Sequence, residues 1–296
     1  MTVSVLVPSS LCREAEDKRE ATRKLGSVAR AAAVFRVDRL TVFPDPDGEG
    51  RWGGGFVETV LQYAATPPYL RKEVWDRRDE LEYAGVLPPL RVRSQTGSGS
   101  EGSGSSRQGI VTEVGSDGRV RVNCGLQPPV SLPVPSGMEV PGEGERVTVR
   151  VSSREPVRAK LTAESPPGFA VDASDLDTAL DRDDAGLAIA ASRHGESVDV
   201  ARLGQLVEAV RESGRGADPE MTVAFGAPER GLPEILGSGP AGDRGTVPAA
   251  GPGTAGETGA TNRFDRWLNT VPNQGSEAVR TEEAVFATLA CLTLTE

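Results

Sequence analysis

Histidine occurs once in these 296 residues, cysteine three times, aromatics make up 4%, and lysine appears only at positions 18, 24, 72 and 160. Each scarcity excludes something. Cys12, Cys124 and Cys291 lie far apart without CxxC spacing, and His194 is the sole imidazole, so a structural zinc site lacks ligands and no metal is expected. A Ser/His/Asp triad could use no imidazole but His194, which reads as an exposed loop residue. No run approaches 18 apolar residues, and the opening MTVSVLVPSSLCRE has neither a basic start nor a long apolar core. The expectation is a soluble, cytoplasmic protein with no membrane partner.

The shortage of lysine accompanies 43 acidic against 33 basic residues and a net charge of −10. An acidic, lysine-poor surface is expected of a halophilic source, although a GC-rich genome also favours arginine over lysine. Such a charge weighs against a nucleic-acid partner, because phosphate contacts dominate that affinity. At about 1 M salt, however, the Debye length is roughly 3 Å, so long-range repulsion is nearly absent and locally placed arginines still grip phosphates. RNA is not excluded.

What is present is a set of short apolar runs separated by Gly- and Pro-rich stretches, in a chain long enough for two modest domains. VSVLV (3–7) reads as a buried strand ended by Pro8-Ser9-Ser10. An amphipathic helix follows from Glu14 to Ala33, then a strand LTVF (40–43) and a helix FVETVLQYAA (56–65) ended by Pro67-Pro68. Alternating strand and helix implies an α/β fold with a largely parallel sheet. After LPPLRVR the polar stretch QTGSGSEGSGSSRQG (95–109) reads as a flexible linker. Alternating strands with a Ser116-Asp117-Gly118 turn come next, and residues 92–160 are expected to form a small all-β, OB-like inserted module.

The α/β pattern resumes with FAVDA (169–173), a short acidic helix, GLAIAA (186–191), a helix carrying Val200, Leu203, Leu206, Val207 and Val210, and the strand MTVAF (221–225). Residues 237–261 are low in complexity. The GxGxxG at Gly251 to Gly256 falls inside them, with no strand before it or helix after it, so it is no dinucleotide fingerprint. YAATPPYLR (63–71) and YAGVLPPLR (83–91) share five of nine residues, but no third copy makes a repeat architecture.

Three strands open onto loops of small or polar residues: Ser192-Arg193-His194-Gly195, Gly226 to Gly231, and Asn269 to Gly275. Ligands of open α/β sheets bind at the carboxyl ends of strands, and glycines there let backbone groups approach a flat ligand. Any one loop reads equally as an ordinary turn; three together point to a pocket. Thr281 is expected to cap the last helix, with Glu282 and Glu283 favoured in its first turn by the helix dipole.

LQYAATPPYLRK (61–72), LEYAGVLPPLR (81–91), the β module, FGAPERGL (225–232) and NTVPNQGSEAVRTEEAVFATLACL (269–292) occur in an order that resembles the archaeal and eukaryotic "putative RNA methyltransferase" family of the SPOUT superfamily. The resemblance implies a trefoil-knotted domain made of residues 1–91 and 161–296, interrupted by the OB-like module. It implies S-adenosylmethionine held by Arg193, Gly226, Gly231, Asn269, Thr270, Val271, Gln274 and Gly275, a homodimer, and an RNA substrate, with ribosomal RNA the expected target. Arg280 is the candidate catalytic residue, orienting a substrate phosphate or base; the competing reading pairs it with Glu282 or Glu283. A non-catalytic RNA-binding or ribosome-assembly protein, and a protein methyltransferase, are the alternatives.

Overall fold

The structure is a computed structural model that describes residues 1–92, 105–213, 218–236 and 263–294. In chain order its elements are β1 (Thr2–Pro8), α1 (Lys18–Val34), β2 (Arg39–Phe43), α2 (Phe56–Ala65), α3 (Arg71–Val74), β3 (Ser105–Val114), β4 (Arg119–Asn123), β5 (Val130–Pro133), β6 (Arg146–Arg154), β7 (Val157–Thr162), β8 (Ala170–Ala173), α4 (Leu176–Leu180), β9 (Leu187–Ser197), α5 (Val200–Glu212), β10 (Glu220–Phe225), α6 (Leu232–Ile235), β11 (Arg266–Asn269) and α7 (Thr281–Leu292). The chain divides into two compact units, one of residues Met1–Gln62, Glu80–Leu90 and Ala170–Glu296, the other of Tyr63–Asp79 and Arg91–Phe169.

In the first unit, six strands among the described residues form a sheet in the order β11-β9-β10-β1-β2-β8, with every pairing parallel. β1 and β10 lie at its centre and are buried on both faces, which explains their unbroken apolar runs. The edge strand β8 is more exposed. Helix α1 starts at Lys18 rather than Glu14, because the Asp17 side chain caps it by accepting from the Glu20 N–H at 2.7 Å. Its face of Ala21, Leu25, Val28, Ala29 and Ala32 is buried, and the chain beyond it sets Phe35 edge-on against Phe286 of α7 at 5.7 Å. The apolar face expected of α2 is buried as read: Phe56, Val57, Val60, Leu61 and Ala64. On α5 only Leu206 and Val210 are buried, whereas Val200 in its first turn is 90% exposed.

The second unit carries an antiparallel sheet in the order β5-β4-β3-β6-β7, and its edges β5 and β7 approach each other, giving a barrel-like form. Val111, Val120, Val122, Val147, Val149, Val151 and Leu161 fill its core. The expected hairpin joins β3 to β4, with Gly118 at φ 75° and the Asp117 carboxylate accepting from the Arg119 N–H at 3.1 Å. The flexible linker read over 95–109 needs correction at its end. Residues 105–109 are strand, paired from Ser105↔Val151 to Gly109↔Val147. This stretch hides in the sequence because its buried residues are Ser106 and Gln108, whose polarity masks the alternation, and because Gly109 is small: a Cβ there would lie 2.5 Å from a Val122 methyl. The rest of that linker, and the 237–261 segment, lie outside the described residues.

No helix among the described residues is long and apolar enough to cross a membrane. Gly186, at the entry to β9, has φ +60°, and a Cβ on it would fall 2.0 Å from the Glu220 carbonyl oxygen. Gly186→Ala is therefore expected to cost at least about 2 kcal/mol, read as a lower denaturant midpoint at unchanged slope. Gly204→Ala on α5, where an added Cβ meets nothing within 4 Å, should instead stabilise by about 0.5–1 kcal/mol.

Candidate active site at the carboxyl edge of the parallel sheet

Because β11, β9 and β10 are parallel neighbours, their carboxyl ends emerge side by side. The first of the three loops is an excursion inside a strand. Trp267 pairs with Ala190, yet the next residue, Leu268, pairs with Glu196, so Ala191–Gly195 have no partner on β11, although Ala191 still pairs with Phe225 of β10, and β9 continues to Ser197. Gly195 makes this possible, since a Cβ there would lie 2.6 Å from the Leu268 nitrogen. Arg193 and His194 are exposed at the tip, where the Arg193 Nε donates to the His194 Nε2 at 3.0 Å.

Asn269 joins this excursion to the loop after β11. Its Nδ2 donates to the Arg193 carbonyl at 3.0 Å while its Oδ1 accepts from the Val271 N–H, also at 3.0 Å. The Val198 N–H closes the other side on the Asn269 carbonyl at 2.9 Å. The neighbouring Thr270 shares a 2.8 Å hydroxyl bond with the fully buried Thr288 of α7. Gln274 folds its amide onto the carbonyls of Ser276 and Glu277 at 2.9 and 3.3 Å, which shapes the return to α7.

The cap of α7 lies one residue earlier than the sequence favours. Arg280 is the extended N-cap, and its N–H donates to the Glu283 carboxylate at 2.9 Å. That frees the Thr281 hydroxyl for a tertiary role: it donates to the Gly226 carbonyl at 3.0 Å, tying α7 to the loop after β10. The Arg280 side chain is exposed and joins no ion pair among the described residues, whereas Glu282 is turned inward, 4.0 Å from the buried ammonium of Lys24. Lys24 also pairs with Glu14; burial pulls its pKa down, and Glu282 works against that shift.

The loop after β10 is a tight turn. Ala227 and Arg230 exchange backbone bonds of 2.9 and 3.1 Å, Pro228 takes the first corner, and Glu229 adopts φ 60° at the second. Gly226 is required by this packing, since a Cβ would press on the Arg230 carbonyl at 2.9 Å; at Gly231 the nearest atom is 3.5 Å away, and at Gly275 the space is open. The last two glycines thus leave room beside the loops that the protein itself does not fill.

Sequence reading missed the anchor of this turn. Arg230 lays two guanidinium nitrogens on the carboxylate of Asp45, beyond β2, at 3.0–3.1 Å, and a third on Glu234 at 2.9 Å. Asp45, only 3% exposed, also accepts from the Ser10 hydroxyl, and its own N–H donates to the Ser9 hydroxyl at 2.8 Å. A pair 185 residues apart leaves no local signal beyond the acid in a Pro-rich turn. A cleft of about 380 Å³ opens on the far side of the same edge, beyond β1, β2 and β8, lined by Phe43, Trp52, Phe56, Glu49 and Asp175. None of the residues expected to bind cofactor lines it.

A parallel α/β sheet whose carboxyl edge carries the β9 excursion and the loops after β10 and β11, tied together directly or through α7, has the form of a ligand-binding enzyme edge. The chain belongs to the family described as "Putative RNA methyltransferase", whose model matches residues 2–292, and its enzyme class is that of a methyltransferase. It is 71% identical to an uncharacterized protein of Haloarcula marismortui, over the whole of both chains. It is also 28% identical to the 28S rRNA (uridine-N(3))-methyltransferase of Homo sapiens, across 98% of this chain and 77% of the human one, and 27% identical to the protein of the same name in Mus musculus, across 98% and 76%.

Removing Asp45 would strand the half-buried Arg230 guanidinium. Asp45→Ala should destabilise by about 3 kcal/mol, and the double variant with Arg230→Met by less than the sum of the singles, with a coupling of about 1–3 kcal/mol in a denaturation cycle.

Proposed function

We propose that this chain is an S-adenosylmethionine-dependent RNA methyltransferase acting on ribosomal RNA, with a knotted α/β domain interrupted by an OB-like module, and that it works as a homodimer. The observation that carries this reading is the family match over residues 2–292, together with relatives named 28S rRNA (uridine-N(3))-methyltransferase that align with 98% of the chain. The knot, the dimer and the cofactor follow from the motif resemblance of the three loops.

The loops fit such a cofactor chemically. Adenosine is flat and is recognised by main-chain donors and acceptors, and the loops offer backbone with room left beside Gly231 and Gly275. In this reading Gly226, Gly231, Thr270, Val271, Gln274 and Gly275 form the walls, Asn269 fixes one wall to the other, and Arg193 approaches the methionine end. When bound, the cofactor supplies an electrophilic methyl group on a sulfonium. The chain's share is alignment of the attacking atom and exclusion of water. Attack from a uracil N3 requires loss of its proton to solvent, and negative charge then spreads to the ring oxygens. Arg280, exposed and free of ion pairs among the described residues, is the group we assign to steady that charge or a neighbouring phosphate.

Calorimetry in molar salt is expected to detect S-adenosylmethionine binding, and Asn269→Ala should weaken it about tenfold by removing two hydrogen bonds. Methyl label should enter total RNA from a strain lacking the gene and appear as N3-methyluridine after digestion. Label in protein alone would turn the reading to a protein methyltransferase; no binding at millimolar cofactor would end it.

A further inference from the structure

The unit of Tyr63–Asp79 and Arg91–Phe169 differs in charge from the rest of the chain. It has 14 Lys and Arg against 11 Asp and Glu, a net +3, which leaves 19 against 32, a net −13, elsewhere. Within it, three arginines lie over aromatic rings: Arg71 over Tyr63 at 4.4 Å, Arg107 over Tyr69 at 5.2 Å and Arg78 over Trp75 at 5.5 Å. Tyr63 and Trp75 meet edge to face at 5.8 Å.

Thr66 and Gln108 hold this array together. The Trp75 Nε1 and the Arg146 Nη2 both reach the Thr66 hydroxyl, at 3.0 and 3.2 Å, the Arg71 Nε donates to the Thr66 carbonyl at 3.1 Å, and the Tyr69 hydroxyl donates to the Gln108 carbonyl at 2.8 Å. Arg71, Arg78, Arg107 and Arg146 are thereby drawn to one region, and among the described residues none of them joins an ion pair. The unit's paired arginines are others, such as Arg121 with Glu113 and Arg150 with Glu164. Arg146 is half-buried, and burial lowers its pKa with no carboxylate to oppose the shift. A cation desolvated to that degree without a counter-ion is costly unless an anion completes it.

We infer that this cationic, aromatic face holds an unstacked single-stranded stretch of the RNA substrate, with phosphates on Arg107 and Arg146 and bases against the ring and guanidinium planes around Tyr63 and Trp75; Tyr69, packed between Arg107 and the Gly125 backbone, serves to position Arg107. The inference rests on the RNA reading above. Single strands are favoured over duplex because only an unpaired base has a free face to stack. Glu73, Asp76 and Asp79 interleave with the arginines, so attraction between net charges is weak here and planar contact decides. In molar salt that balance tilts further, since screening removes distant attraction but not stacking.

The test uses the full chain and fluorescence anisotropy with three probes: labelled oligouridylate of about 15 nucleotides, an RNA duplex of the same length, and a polyglutamate peptide. Wild type should prefer the oligouridylate. Arg107→Gln with Arg146→Gln should weaken it at least about tenfold and lower the salt slope by about 1.4, two phosphates at about 0.7 each, while Arg146→Lys keeps its share of the slope. Trp75→Ala should cost about tenfold. Cofactor binding should be unchanged throughout. Should the double variant fold poorly, the exposed Arg78→Gln still reports through a loss of affinity. Wild-type affinity in the variants, or preference for duplex or peptide, overturns this inference alone; a wild type that binds cofactor but no RNA overturns the RNA reading beneath it as well.

Discussion

The hydroxyls of Thr281 and Thr288 hold the candidate active edge together. One bonds the Gly226 carbonyl and the other Thr270, so a single helix grips the loops after β10 and β11 at once. They can do so because α7 is itself immobilised by apolar burial. Val285 and Leu289 are 0% exposed and Leu292 is 2%, each side chain contributing on the order of 1.5–3 kcal/mol. Asn269 then links the β11 loop to the β9 excursion. The order of dependence runs from core burial to helix position, from helix to loops, and from loops to whatever they bind.

Asp45 and Arg230 perform the matching task on the other flank, joining the β10 turn to the loop beyond β2. The ties of Thr281, Thr288 and Asp45 are short-range and sheltered, whereas that of Asn269 to Arg193 is exposed. An exposed pair such as Arg202 with Glu196 contributes little and is screened by salt, whereas a bidentate pair around a 3% exposed carboxylate is screened far less. Contacts of this second kind would hold the site even in concentrated salt.

Much of this was legible in the sequence where the signal is local. VSVLV, LTVF and MTVAF announce buried parallel strands, α2 begins and ends where its apolar face and the Pro pair place it, and Asp117-Gly118 marks its hairpin. What escaped is information held by a partner elsewhere. Residues 105–109 look like linker because Ser106 and Gln108 are polar, yet their backbone is claimed by β6. The strand β9 seems to stop at Ala191 because a five-residue bulge precedes its re-pairing with Leu268 and Asn269. Thr281 has the chemistry of a cap, but Glu283 supplies the cap and leaves that hydroxyl for Gly226. The loops carrying the expected cofactor residues were visible; the bonds that bring them together were not.

Charge division between the two units gives the proposed chemistry a physical constraint. A unit of net −13 cannot draw RNA toward itself by its field, and in molar salt no field reaches beyond roughly 3 Å in any case. Substrate capture must then come from surfaces in contact, and these require groups that salt competes away least: ring faces and guanidinium planes. The second unit gathers those groups, while the first keeps its polar ties for the three loops. On the proposed function, holding the strand falls to the second unit and aligning the methyl group to the first, because an acidic surface is unsuited to doing both in one place.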